Sequence, residues 1–343
     1  LAEEHIPRWL REIESGRSDN PKINALFWFL ISVADSTPAQ PQITAFLTAY
    51  LGRSEEWDNL LTAWVGRIRQ WHSLEAVRLY KKLLLKNWEN NDSLFVYHLR
   101  DIAKQHPLEG CLILEKILAQ AELPDEPDNH FWNAFADRES GGLKIDDEVL
   151  NTLAEAKPNE FLESIWQFLE RVLHVSTLPQ ENEPKYFQTD AFQDIWSIRN
   201  TRGVIHRHHF GFALSQAMEK ALQLLADTNT SLCQDWLNRL EGIRYETPQM
   251  LVLDVYAKHP QDFSDRALSF LCGDVRRLEL GEKQCESRRL LRVAAPFWSS
   301  SQCAEMERHI LAVDRLPYYK RLRQRISISW NVAVSSSGDC SWH

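Results

Sequence analysis

Three stretches of the chain carry one phrase, in which a helix closes, a proline follows and a second helix opens with apolar residues at fixed offsets. They are Asp101-Ile-Ala-Lys-Gln-His-Pro107, Thr152-Leu-Ala-Glu-Ala-Lys-Pro158 and Asp254-Val-Tyr-Ala-Lys-His-Pro260. Eight and five residues before the prolines stand Leu99 and Ile102, Leu150 and Leu153, and Val252 and Val255. Seven, ten and eleven residues after them stand Leu114, Ile117 and Leu118; Ile165, Phe168 and Leu169; and Ala267, Phe270 and Leu271. Proline fixes φ and lacks an N–H, so it ends one helix and suits the first turn of the next. A helix-turn-helix unit used repeatedly points to an all-α fold, an irregular helical-repeat solenoid of paired helices in the manner of HEAT or tetratricopeptide arrays.

Pro107 and Pro158 stand 51 residues apart, and Pro158 and Pro260 102 apart, which suggests a strict period. The slots near 56 and 209 do not obey it. After 209 the offsets fall on Gln216, Glu219 and Lys220, where apolar residues are required. The repeats are therefore expected to be irregular.

Composition agrees with helices joined by short turns. Only 12 glycines occur in 343 residues, too few for the tight hairpins and phosphate-cradling loops of nucleotide-binding α/β folds. Thirteen tryptophans are many. Most recur at helical spacing with other apolar residues, as Trp57, Leu60, Leu61, Trp64 and Ile68 do, and are expected as wedges between helices.

A net charge of −9 disfavours nonspecific nucleic-acid or anionic-membrane binding. The six cysteines are scattered without a C-x-x-C pair, and Cys111 and Cys272 lie in apolar helical runs, as expected for reduced thiols of a cytoplasmic protein. The longest apolar run, Ala25 to Val33, is shorter than a bilayer requires and reads as an amphipathic core helix.

Five segments are expected: helical repeats over 1–121, a loop and further repeat over 122–174, an insertion over 175–209, helical repeats over 210–325 and a Ser-rich tail over 326–343. The insertion holds Pro179, Pro184 and a polar run at Gln180 to Glu183. Loops of such length are commonly functional, and Tyr186, Arg199, Arg202, Arg207 and His208 are the candidate interaction residues there.

The sequence holds no Walker A loop, no dinucleotide glycine motif, no H-E-x-x-H helix and no G-x-S-x-G elbow. One dense cluster remains, Arg199-Asn-Thr-Arg202-Gly-Val-Ile-His206-Arg207-His208-His209. Its histidines do not share a helix face as paired metal ligands would, and no neighbouring Cys, Asp or Glu completes a shell, so neither metal nor cofactor is expected. Arg199 and His206 resemble the Arg and His motif of HEPN ribonucleases, in which arginine holds an RNA phosphate and histidine moves a proton. The alternative is a basic loop that pairs with acids such as Asp190 and Asp194 or caps a helix carboxyl end.

Phe263-Ser-Asp-Arg-Ala-Leu-Ser-Phe-Leu271, Arg277-Leu-Glu-Leu-Gly281, Arg288-Arg-Leu-Leu291 and Met306-Glu-Arg-His-Ile-Leu311 occur in that order. Together they resemble the carboxyl-terminal helical-repeat arm of large bacterial STAND NTPases of the antiviral AVAST type. The resemblance covers about residues 245 to 320. In that family an effector and a P-loop NTPase precede the arm, which recognises a viral protein and drives oligomerisation. The resemblance implies a fragment of a longer parent, with oligomerisation a property of that parent and no NTPase residue carried by this chain. The expectation is a scaffold or protein-recognition segment without catalytic activity of its own, binding protein rather than membrane; the alternative is a HEPN-like ribonuclease using Arg199 and His206.

Overall fold

The computed structural model describes residues 25, 28–49, 51–53, 55–86, 92–121, 145–176, 210–243, 246–274, 277, 278, 280 and 285–313. Among them every regular element is a helix: α1 (Gln40–Thr48), α2 (Glu55–Val65), α3 (Leu74–Lys86), α4 (Asp92–Gln105), α5 (Pro107–Gln120), α6 (Asp147–Ala156), α7 (Pro158–Ser176), α8 (Phe210–Thr228), α9 (Thr230–Glu241), α10 (Glu246–Lys258), α11 (Pro260–Gly273), α12 (Cys285–Ala294), a short 3₁₀ turn (Ala295–Phe297) and α13 (Ser300–Val313). Contacts divide the chain into two compact units, Leu1–Ala121 with Leu143–Lys157, and Glu122–Gly142 with Pro158–His343.

The three prolines open α5, α7 and α11. A proline ring crowds the α conformation of the residue before it, and that residue leaves the helix each time at nearly the same dihedrals. His106 has φ −136° and ψ 65°, Lys157 −145° and 66°, and His259 −121° and 54°. Each still donates its N–H to the carbonyl four residues back: His106 to Ile102 at 2.7 Å, Lys157 to Leu153 at 2.9 Å and His259 to Val255 at 3.0 Å. The closing helix thus keeps its last bond while the chain turns. All the apolar residues at the offsets given above are buried, Leu118, Leu169 and Leu271 among them.

A fourth junction has no proline. Asn229 takes φ −151° and ψ 80°, donates to the Leu225 carbonyl at 2.8 Å, and its side chain accepts from the Leu232 N–H at 3.2 Å. Thr230 occupies the first helical position, and Leu222, Leu225, Leu237 and Leu240 are buried at four of the five offsets of the proline phrases. The slot near 209 fails because α8 begins at Phe210 and the turn comes at Asn229.

Within each unit the principal helix contacts join elements one or two places apart. In the first unit α1 packs on α3, α3 on α2 and α5, and α6 on α4 and α5. In the second, α8 packs on α7, α9 and α10, while α12 packs on α10 and α11, and α11 also meets α13. Hydrogen bonds span a recurrent distance in sequence. The Trp64 indole donates to the Leu30 carbonyl and the Trp298 indole to the Ser264 carbonyl, each across 34 residues. Asp35 accepts from the Arg69 N–H across 34, Gln40 from the Ser73 N–H across 33, and Gln105 from the Trp71 N–H across 34.

Gly110 sits where α5 packs on α4 and α6. A Cβ there would lie 2.7 Å from Leu153 Cδ2 and 3.3 Å from Ala103 Cα, so only glycine fits without displacement. Trp64, Trp71, Trp166, Trp236 and Trp298 are buried as expected of wedges, whereas Trp28 is 67% exposed. The Ala25 to Val33 run therefore buries Leu30 but turns Trp28 outward. Val175 and Ser176, read above as the start of the insertion, belong to the last turn of α7. Among the described residues no helix is long and apolar enough to cross a membrane.

Candidate functional site

Tyr186, Arg199, Arg202, His206, Arg207 and His208 all lie in 177–209, outside the described residues. Neither the HEPN arrangement nor the basic-loop arrangement is therefore described. What the second unit does display is a polar cluster where α9, α10 and α11 meet the residues after α11.

Arg277 is its centre. Its guanidinium donates through Nε to Gln249 Oε1 at 2.8 Å, through Nη1 to the Phe270 carbonyl at 2.8 Å and through Nη2 to the Glu241 carbonyl at 3.1 Å. The cation also lies 4.2 Å from the Phe270 ring centre. The planar fork serves three acceptors at once, which a lysine ammonium on a flexible stem would not reproduce. Gln249, fully buried, shares the two N–H groups of its amide among the carbonyls of Leu240, Glu241 and Ile243, at 3.2, 3.2 and 2.7 Å from Nε2. The last four carbonyls of a helix have no partner within it, and Gln249 and Arg277 supply donors at the end of α9.

The Glu241 carboxylate accepts from the Tyr256 hydroxyl and from Arg266, 3.1 Å away. Burial first, and then the Glu241 charge, push the Tyr256 phenol well above its usual range, so it is a neutral donor. Arg266 also reaches Asn238 Oδ1 at 2.6 Å. Farther along, Arg239 of α9 lies 3.8 Å from the Trp166 ring centre and 4.9 Å from that of Trp236, beside Glu163, and the Trp236 indole donates to Asn159 at 3.0 Å.

These groups bind one another. Among the described residues no three His, Cys, Asp or Glu side chains gather as a metal site would require. Among the described residues Cys111, Cys233 and Cys303 are buried thiols, and Cys272 is half-buried. Burial pushes the Cys233 and Cys272 thiols up to about 11, so neither carries the thiolate that nucleophilic chemistry needs at neutral pH. His98, packed edge-on to Trp71 and Tyr80, is lowered chiefly by burial and stays neutral.

Sequence reasoning quoted Arg266 and Arg277 only as part of a resemblance and Tyr256 only within a proline phrase, and missed Gln249 and Glu241. A legible signal was Gln249 itself, a polar residue three positions before the buried Val252 on an otherwise apolar face. Compared with protein-family models, with curated proteins and with solved structures, the chain matches none of them.

Proposed function

We propose that this chain is a non-catalytic helical-repeat scaffold for protein recognition, each unit being a short stack of two-helix repeats of about 34 residues. The observation that carries the reading is the recurrent bond distance: Trp64 to Leu30 and Trp298 to Ser264 span 34 residues, His106 to Trp71 spans 35 and Arg289 to Asp254 spans 35. Equivalent atoms of adjacent repeats meet at a fixed sequence separation when each repeat packs only on its neighbours. On this reading the 51 residues between Pro107 and Pro158 are one repeat lengthened by an insertion within the stretch 122–144. Stacked helix pairs offer an extended surface for a macromolecular partner without a preformed catalytic pocket.

The more specific form of the proposal is the sensor arm of an antiviral STAND NTPase, supported by the motifs between Phe263 and Leu311. Its partner would be a viral protein and its compartment the cytoplasm. The test is to pan a displayed library of bacterial-virus proteins against the immobilised chain. Enrichment of a discrete protein, lost when Tyr186, Arg199, Arg202, Arg207 and His208 are all changed to alanine, supports recognition through the insertion. A screen that enriches nothing contradicts the sensor reading.

A further inference from the structure

The second unit holds a group of charges outside the Arg277 cluster, on the face where α8, α10 and α12 pack together. Asp254 of α10 is buried, with a side chain only 3% exposed. Its Oδ2 accepts from Gln223 Nε2 of α8 at 2.8 Å and lies 3.4 Å from Lys258 Nζ, while Oδ1 accepts from Arg289 of α12 at 3.0 Å. The half-buried Glu219 of α8 draws on the same two donors: Gln223 at 3.1 Å and Lys258 at 2.7 Å both reach its Oε1. Two carboxylates thus share one amide and one ammonium across a helix interface.

We propose that Glu219 and Asp254 form a proton-sharing carboxyl pair that tightens the packing of α8 against α10 as the surroundings turn acid. With both groups ionised, two like charges are held together in a partly desolvated space. Uptake of one proton from solvent by Glu219 removes one charge and creates an O–H donor aimed at the Asp254 carboxylate. Repulsion becomes a charge-assisted hydrogen bond.

The surrounding charges leave this balance in place. Lys258 is shared between the two carboxylates. Arg289 divides its charge between Asp254 and the buried Glu286, 3.3 Å away, so α12 brings one cation and one further anion. On α9, Arg239 turns to Glu163 of α7 and Glu241 to Arg266 of α11, while Arg171 of α7 lies over the Phe168 ring. His259 reaches Asp227 at the other end of α8, 3.7 Å away.

Burial first, then hydrogen bonding to and repulsion by Asp254, raise the Glu219 carboxyl above its usual 4.5. A carboxyl raised in the fold binds its proton more tightly there than in the unfolded chain. The stability it contributes is therefore fully present below 4.5 and is lost as pH rises through the raised value.

The test uses the full chain with ¹³C-labelled glutamate side chains, the Glu219 carboxyl resonance being assigned by its absence in Glu219→Gln. The expected titration midpoint lies above 4.5; a midpoint at or below it overturns the proposal. Glu219→Gln should also melt higher than the parent at neutral pH, with the two converging as pH falls below 4.5. A variant that melts lower at neutral pH by a margin independent of pH contradicts the proton-sharing pair. Should Glu219→Gln fail to fold, Glu219→Asp supplies the assignment and Asp254→Asn the test: removing the neighbouring charge should bring the Glu219 midpoint down, and an unmoved midpoint overturns the pairing.

Discussion

The imidazole of His106 donates from Nε2 to the backbone carbonyl of Trp71 at 2.6 Å, across 35 residues. The residue beside it, Gln105, accepts from the Trp71 N–H at 2.9 Å, so the last turn of α4 holds both sides of one peptide residue in the loop that enters α3. Gln40, the first residue of α1, holds the same loop, with Nε2 donating to the Gln70 carbonyl at 2.9 Å and Oε1 accepting from the Ser73 N–H at 2.8 Å. Side-chain hydrogen bonds to loop backbone of this kind are worth about 1 kcal/mol each, more when a buried group is left unpaired. His106→Ala and Gln105→Ala are each expected to lower the unfolding free energy by about 1 kcal/mol. Urea denaturation measures this, and an unchanged midpoint in both would show that the loop needs no clamp.

The proline-free junction makes a prediction in the opposite direction. Asn229 already has the dihedrals of the residues that precede Pro107, Pro158 and Pro260, and Thr230 stands where those prolines stand. Thr230→Pro should therefore be accommodated and should stabilise by about 0.4 to 1 kcal/mol, by restricting the unfolded chain. Asn229→Ala should cost about 1 kcal/mol through loss of the cap on Leu232. Both are read as shifts in thermal midpoint; a destabilising proline would mean that the junctions are not equivalent.

These two junctions show what the sequence disclosed. Proline marks a helix break so strongly that three junctions and their buried offsets were legible at once. The Asn229 junction carried the same apolar offsets, yet Asn and Thr are common at many turns, and without proline nothing singled it out. The sequence separation on which the proposed repeat rests escaped for a different reason. It is written in bonds such as Trp64 to Leu30 and His106 to Trp71, and neither residue type reveals its partner 34 or 35 positions away. The Arg277 cluster was hidden likewise, because a half-buried arginine satisfied by backbone carbonyls looks in sequence like any surface arginine.

Leu169 and Leu271 are fully buried at equivalent places after Pro158 and Pro260. Leu169→Ala and Leu271→Ala should each cost about 2 to 5 kcal/mol, the range for deleting a buried leucine side chain. Equilibrium denaturation tests this. A loss below about 1 kcal/mol in both would mean that the offsets do not mark the core.

At Gly110 the added methyl group would meet Leu153 and the backbone of Ala103. The Leu153 side chain can move, but Ala103 Cα cannot move without shifting α4, so the usual helix gain of alanine over glycine should be reversed. Gly110→Ala is expected to destabilise by about 1 to 3 kcal/mol, and Gly110→Val more. A Gly110→Ala variant that melts higher than the parent would show that α4 and α5 are less closely packed.

The reading of this chain as a scaffold is tested most directly by incubating the purified protein with labelled single-stranded RNA and measuring cleavage. A ribonuclease of the HEPN kind needs Arg199 to hold the phosphate and His206 to transfer the proton, so both are indispensable to it. The account predicts no cleavage that depends on the chain, and no difference among the parent, Arg199→Ala and His206→Ala proteins. Cleavage by the parent that disappears in both variants would contradict it and make the chain an enzyme.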